Sequence, residues 1–459
     1  MSVQTFRDPN VSRWQSIVEE VLHRQGDPTA PPGTRPTLDH PVVAAAASAG
    51  AAAVAAGAAG GGTPGPAVPA GPACSTHDEC AQLALRLATA KVEHRPAAEI
   101  QPLEDELKFG TCDPLWSEAV AAYVDYFEVD HGKADYRPST GLGDPAPLAL
   151  PENARVALIA DWGTGTAEAI ALLEKVAAHK PDVLIHLGDV YYSGTEIEND
   201  QYFLGPVNQI FGRGPGRPLP VFNLPGNHDM YSGGTAFYTT LDRLNLPPLA
   251  PPGQMQTHSF FCLRSSGWQI LGMDTGLHDD DLFDVATSMT YLEDAELAWH
   301  KDKIKNRGGR RTILLSHHQL FSAYSAIGPE TNGDRSENAL LHSQFADVLD
   351  SVDAWLWGHE HNLEIYGPYA GLARGRCIGH AAVPVLTGQN PYTSRVSNKI
   401  PLLPSQEAPV QLGITGDAYN HGYVIAQLDD VARTARLSYY QDTGAPGGAE
   451  LLFEETIGE

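Results

Sequence analysis

Six short apolar runs punctuate the second half of the sequence: Val156 to Ala160, Val183 to Leu187, Val221 to Leu224, Ile270 to Met273, Ile313 to Leu315 and Ala354 to Leu356. Runs this short, separated by stretches of helical period, predict buried strands of an α/β fold whose C-terminal ends share one edge. In open α/β sheets that edge is where ligands bind. Five of the runs hand over to metal-competent or proton-active side chains. Asp161 stands in Ala-Asp-Trp-Gly, Asp189 and Tyr192 in Gly-Asp-Val-Tyr-Tyr, and Asn227, His228 and Asp229 in Gly-Asn-His-Asp. His317 and His318 follow Ile-Leu-Leu-Ser, and His359 and His361 occupy Gly-His-Glu-His. One such strand end constrains little, whereas five along one edge constrain fold and chemistry together.

Each residue type has a chemical reason to be there. In an extended backbone His359 and His361 point to the same side while Glu360 points away, so both imidazoles can face one cluster. Asp161 and Asp189 supply hard anionic oxygens, and one carboxylate can bridge two cations roughly 3.5–4 Å apart. Asp189 is the bridging candidate. Taken alone, Asp161 ahead of Gly163-Thr164-Gly165 reads as a helix cap; the five strand ends together favour ligation.

This ordered set resembles the calcineurin-like metallophosphoesterase superfamily over roughly residues 155–366. Most members open with D-x-H where this chain has Asp161-Trp162-Gly163. In that respect it is similar to purple acid phosphatases, whose D-x-G is accompanied by a tyrosine in GDxxY, here Tyr192. The resemblance implies an α/β-β/α sandwich and two metal ions. One would be held by Asp161, Asp189, Tyr192 and His361, with Fe(III) favoured by the phenolate; the other by Asp189, Asn227, His317 and His359, accepting Fe, Zn or Mn. Tyr191 is expected to pack as a bystander. The resemblance further implies a phosphoesterase using metal-activated hydroxide, with a phosphomonoesterase favoured and a phosphodiesterase the alternative. His228 would protonate the leaving oxygen or stabilise the transition state. Asp229 either orients His228 or caps a turn. Two departures are that Asp229 stands where glutamate is usual, and Ala160 where glycine is.

Several other readings are weaker. Gly163-Thr164-Gly165 superficially matches a dinucleotide-binding turn, but Glu168 replaces the third glycine. His359-Glu360-His361 continues as Asn362-Leu363-Glu364, not the His-x-His-x-Asp-His of metallo-β-lactamases. A non-catalytic scaffold would not need to keep seven candidate ligands. His318 can contact substrate or simply pack, and the same two readings hold for His258, His278 and His380.

Over its 459 residues the chain carries a formal net charge of −26. Such a polyanion repels phosphate backbones and anionic lipid, so no nucleic-acid partner is expected; the small phosphorylated substrate is what the resemblance implies. The expected organisation has four parts. Residues 1–40 are an amphipathic N-terminal helix and a tail, with Trp14, Ile17, Val18, Val21 and Leu22 on one face between Asp8-Pro9 and Gly26, the helix able to dock on the chain itself or on a partner. Residues 41–76, without Asp, Glu, Lys or Arg and rich in Ala, Gly and Pro, are a linker rather than a membrane span. Residues 77–150 are a helical lead-in and 151–459 the catalytic domain. Five scattered cysteines and no visible secretory signal suggest a reducing, cytoplasmic setting.

Overall fold

The computed structural model describes residues 134–458, apart from 281–287, 330–333, 386, 388–389, 394, 417 and 445–447, together with Ala122 and Tyr126. The expected N-terminal helix, the linker and most of the helical lead-in lie outside the described residues. Ala122 and Tyr126 are helical, and the Tyr126 hydroxyl donates to Asp280 Oδ2 at 2.6 Å.

In chain order the strands are β1 (Leu148–Ala149), β2 (Arg155–Ile159), β3 (Val183–His186), β4 (Val221–Asn223), β5 (Phe261–Arg264), β6 (Trp268–Gly272), β7 (Arg311–Ser316) and β8 (Ala354–Trp357). They continue as β9 (Leu363–Ile365), β10 (Gly375–Ile378), β11 (Ile414–Thr415), β12 (Ala418–Tyr419), β13 (His421–Asp429), β14 (Thr434–Asp442) and β15 (Glu450–Ile457). Four helices matter below: α1 (Ala167–Ala178), α2 (Asn227–Met230), α3 (Thr235–Leu244) and α4 (Asp294–Lys305). All six apolar runs become strands. They fall into two sheets: a seven-stranded one in the order β1-β5-β6-β7-β8-β10-β9 and a six-stranded one in the order β15-β14-β13-β2-β3-β4. β1 pairs with β5, so the folded unit begins before the boundary expected at residue 151, and residues 134–150 contain a strand and turns rather than a helix.

Alternation along the strands builds the layers. Val156 and Leu158 of β2 turn inward to meet Ile313 and Leu315 of β7 and Leu356 of β8 in the core between the sheets. Ala157 and Ile159 turn outward and are covered by Leu172, Leu173 and Val176 of α1. On the opposite face Leu314 and Trp355 pack against Trp299 and Ile304 of α4. The result is the expected α/β-β/α sandwich, with each sheet apolar on both faces because each is covered on both. Within each sheet the run-bearing strands are parallel, β2-β3-β4 in one and β6-β7-β8 in the other. Their C-terminal ends therefore emerge along one edge per sheet. No helix among the described residues is long and apolar enough to cross a membrane.

Candidate metal centre

Side chains from five strand ends meet in one buried space. Ligand-type atoms of Asp161, Asp189 and His317 all lie within 4.8 Å of one another, and so do those of His317, His318 and His359. His317, after β7, fixes the logic. Its Nδ1 lies 3.0 Å from the Leu187 carbonyl oxygen, which can only accept, so the proton sits on Nδ1 and Nε2 presents a lone pair. Burial pushes this imidazole well below its ordinary pKa and keeps it neutral. Nε2 faces Asn227 Oδ1 at 3.1 Å and Asp189 Oδ2 at 3.4 Å. The Asn227 amide nitrogen is turned away, donating to the Tyr231 hydroxyl at 2.6 Å. Asn227 Oδ1 also meets His359 Nδ1 at 3.0 Å. Electron-rich atoms of Asp189, Asn227 and His317 thus converge beside the half-buried His359, an arrangement a cation relieves.

A second cluster adjoins it through Asp189. His361 Nε2 lies 3.5 Å from Asp161 Oδ1 and 3.1 Å from the Tyr191 hydroxyl. That hydroxyl is also 2.9 Å from Asp189 Oδ2 and 3.2 Å from Asp161 Oδ1. One phenolic proton cannot serve both carboxylates, so at least one of these approaches sets oxygen lone pairs against each other, as at a ligand set. The phenol here belongs to Tyr191, which the sequence cast as a packing bystander. Tyr192, expected in this role, is buried; its N–H donates to Glu198 Oε1 and its carbonyl oxygen accepts from His228. The GDxxY spacing selects Tyr192, but the path of the turn after β3 brings the neighbouring Tyr191 ring to the carboxylates instead.

The backbone pays for this convergence in sparsely populated conformations. Asp161 (φ 57°), Asp189 (φ 76°) and His359 (φ 68°) all adopt left-handed geometry, which costs a histidine more than an aspartate. His359 and His361 are therefore not on an extended segment as expected; residues 359–362 form a bend that still brings both imidazoles in. Glu360 does point away, accepting from Ser322 Oγ at 2.7 Å. Glycine is required where the loops touch: a Cβ on Gly226 would sit 2.0 Å from Asp189 Oδ1, and one on Gly358 would sit 2.6 Å from Asp161 Oδ2.

Asp161 is not a helix cap. Thr166 caps α1, its hydroxyl accepting from the Ala169 amide at 2.8 Å, which leaves the Asp161 carboxylate to the cluster and to the His359 amide at 3.0 Å. The fourth run, Ile270 to Met273, also ends in a carboxylate, Asp274, which sequence pattern alone does not mark. It turns into its own loop, accepting from the Gly276 amide at 3.1 Å and the Leu277 amide at 3.0 Å.

His228, in α2, is buried beside the cluster. Its backbone amide donates to Asp189 Oδ1 at 3.1 Å and its Nδ1–H donates to the Tyr192 carbonyl at 2.5 Å, making Nε2 the nitrogen through which it would act. Asp229 settles on the turn-capping alternative: its Oδ2 accepts from the Gly226 amide at 2.8 Å and the Asp189 amide at 2.9 Å. It ties two strand-end loops together, and burial pushes its carboxyl up to about 7. His318 is held by its own neighbours, Nε2 at 2.9 Å from Asp279 Oδ2 and Nδ1 at 3.1 Å from Thr275 Oγ1. Its ring centroid is 4.4 Å from that of His359. His278 stacks on Tyr291 and meets Glu293 at 2.9 Å, His258 stands next to Thr257 Oγ1 at 2.9 Å, and His380 is buried.

Two sheets packed face to face, each covered by helices outside, carry this constellation at their strand ends. Residues 154–363 match the calcineurin-like phosphoesterase family model, so the chain contains a domain of that family, a family of metal-dependent phosphoric ester hydrolases. Among solved structures, a purple acid phosphatase from yellow lupin (Lupinus luteus) seeds shares 14% identity at a TM-score of 0.41, over 66% of this chain and 53% of its own. A protein titled PhoD shares 11% identity at a TM-score of 0.42, over 68% and 71%. GAP50, titled the anchor in the inner membrane complex of Plasmodium, shares 11% at 0.42, over 66% and 88%. The chain thus spans about half the length of the lupin enzyme, and overlaps this loose carry no argument about function. No curated protein matches the sequence.

Proposed function

We propose that this domain is a phosphomonoesterase working with two cations that share Asp189. Asp161, Asp189, Tyr191 and His361 would hold one, and Asp189, Asn227, His317 and His359 the other. The observation that carries this reading is the convergence of Asp189 Oδ2, Asn227 Oδ1 and the His317 Nε2 lone pair at 3.1–3.4 Å, with His359 Nδ1 3.0 Å from the same amide oxygen. A phenol on the first site favours a hard trivalent ion such as iron, and the amide-and-imidazole second site suits iron, zinc or manganese. When bound, such a pair supplies Lewis acidity that activates water and offsets charge on the phosphate. The polypeptide does the rest. Asp189 is aimed by the His228 amide and the Tyr191 hydroxyl, Asp229 fixes the loops carrying Asp189 and Asn227, and burial excludes bulk water. His228, with Nδ1–H anchored on a carbonyl, delivers a proton from Nε2 to the leaving oxygen.

The preference for monoesters rests on the D-x-G block with a tyrosine after Gly-Asp. The test is metal analysis of protein purified without added metal, with turnover of aryl phosphate mono- and diesters. Two metals per chain and faster monoester turnover are expected, with Asp189→Asn abolishing both metals and turnover and His228→Asn lowering kcat by about 10²–10⁴-fold at unchanged metal content. Full activity in Asp189→Asn would refute the shared ligand, and faster diester turnover would replace the substrate assignment.

A further inference from the structure

The outer face of the six-stranded sheet is covered by α1 only as far as Ala178. Where the helix stops, His179 and Lys180 and the outward residues of β2, β13 and β14 enclose a cavity of about 370 Å³, within the size range of small-molecule sites. Strand alternation decides what lines it. Val424, Ala426, Leu437 and Tyr439 turn into the core between the sheets, so their neighbours Ile425, Gln427, Arg436 and Ser438 turn out. The register then aligns Arg155 with Gln427 and Gln427 with Arg436, placing two arginines on one rung with Cα atoms about 10 Å apart across three strands.

Arg155 is held in place from one side only. Its Nη1 donates to the His179 carbonyl at 2.6 Å and its Nε to Gln427 Oε1 at 3.2 Å, which pre-orients the remaining edge of the fork. Arg436 approaches the rim carboxylate of Glu454 only at 3.9 Å, beyond hydrogen-bond range, while Ser438 Oγ donates to that carboxylate at 2.7 Å. With Lys180 the lining holds three permanent cations and, among the described residues, no carboxylate. In a chain with a net charge of −26, such a concentration of positive charge in a concave site matches an anion in both sign and shape.

We propose that this cavity binds a small phosphate-bearing anion at a site separate from the metal centre. The strand that starts at Arg155 ends just before Asp161, so the two sites lie about 20 Å apart along β2. The ligand bridges Arg155 and Arg436, with Lys180 closing the third side.

The test is calorimetric titration of the full chain with inorganic phosphate at low salt, in an Asp189→Asn background that silences the metal centre and in the otherwise unaltered chain. One phosphate per chain is expected in the Asp189→Asn background, its affinity falling with added salt. Arg436→Gln, which removes an exposed side chain with no hydrogen bond to lose, should weaken it at least tenfold. Glu454→Gln, removing the rim acid, should tighten it. In the unaltered background Arg436→Gln should leave aryl phosphate turnover within twofold. No phosphate binding to Asp189→Asn protein, or equal binding by the Arg436→Gln variant, overturns the proposal whatever the metal centre does.

Discussion

Replacing Gly226 by alanine tests the central claim with the smallest perturbation available. Gly226 has φ −99°, a conformation alanine adopts freely, so the backbone carries no penalty and the effect is steric. The added Cβ would lie 2.0 Å from Asp189 Oδ1 and 2.7 Å from His317 Cε1, whereas ordinary contact begins at 3.4 Å. The carboxylate or the loop must therefore yield by about 1.4 Å, and the atoms displaced belong to the residue assigned to both cations. Misplacement of about 1 Å at a reacting centre costs on the order of 10²-fold in rate, so Gly226→Ala should lose at least that factor in kcat/KM, about 2.7 kcal/mol of transition-state stabilisation. Bound metal should fall as well. The assay is aryl phosphate turnover with metal content measured on the same sample and circular dichroism to confirm folding. Gly141→Ala is the control, since nothing stands within 4 Å of its Cβ. A folded Gly226→Ala protein that matched this control in rate and metal would refute the claim that Asp189 is held by close loop packing.

The assignment of the phenol to Tyr191 is checked by a pair of variants: Tyr191→Phe should weaken metal retention at the Asp161–His361 site and remove any tyrosinate-to-metal absorption band, whereas Tyr192→Phe should leave the band. The reverse result would restore the sequence-based choice. A third expectation concerns stability, away from the centre. Burial raises Glu296 of α4 from 4.5 to about 8, so its folded pKa exceeds its unfolded one; its contribution is complete below about pH 4.5 and is lost as pH rises towards 8. The unfolding free energy from urea titrations should therefore fall between pH 5 and 8 by on the order of a few kcal/mol more in the parent than in Glu296→Gln, and identical slopes would show that Glu296 ionises without cost.

The strand ends were legible because two periodicities coincide there: a short apolar run marks a buried strand, and a polar side chain directly after it can only be at the edge. Asp161, Asp189, Asn227, His317, His359 and His361 all meet in the structure for that reason. Sequence pattern does not describe turns equally well. The sequence pattern predicts an extended segment where residues 359–362 bend, and the GDxxY spacing selects Tyr192 where the turn after Asp189 presents Tyr191. Asp229 was left between two roles, and the amides of Gly226 and Asp189 decide for capping. The C-terminal strands β13, β14 and β15 were not marked as strands, since their outward faces mix Arg, Ser, Tyr and Gln and break the apolar run.

The linear order of residues determined which chemistry the chain can perform: acids, amide and imidazoles placed one or a few residues past buried strands must line an edge, because parallel strands share their direction. Which atoms face each other was decided only by the packing of two sheets against each other. That packing set three left-handed residues at the rim and admitted Tyr191 rather than its neighbour, while the register within one sheet aligned Arg155 with Arg436, residues far apart in sequence, across the single strand β13. Burial between layers and the register of hydrogen-bonded strands are properties of pairs of segments, and a single segment cannot specify them.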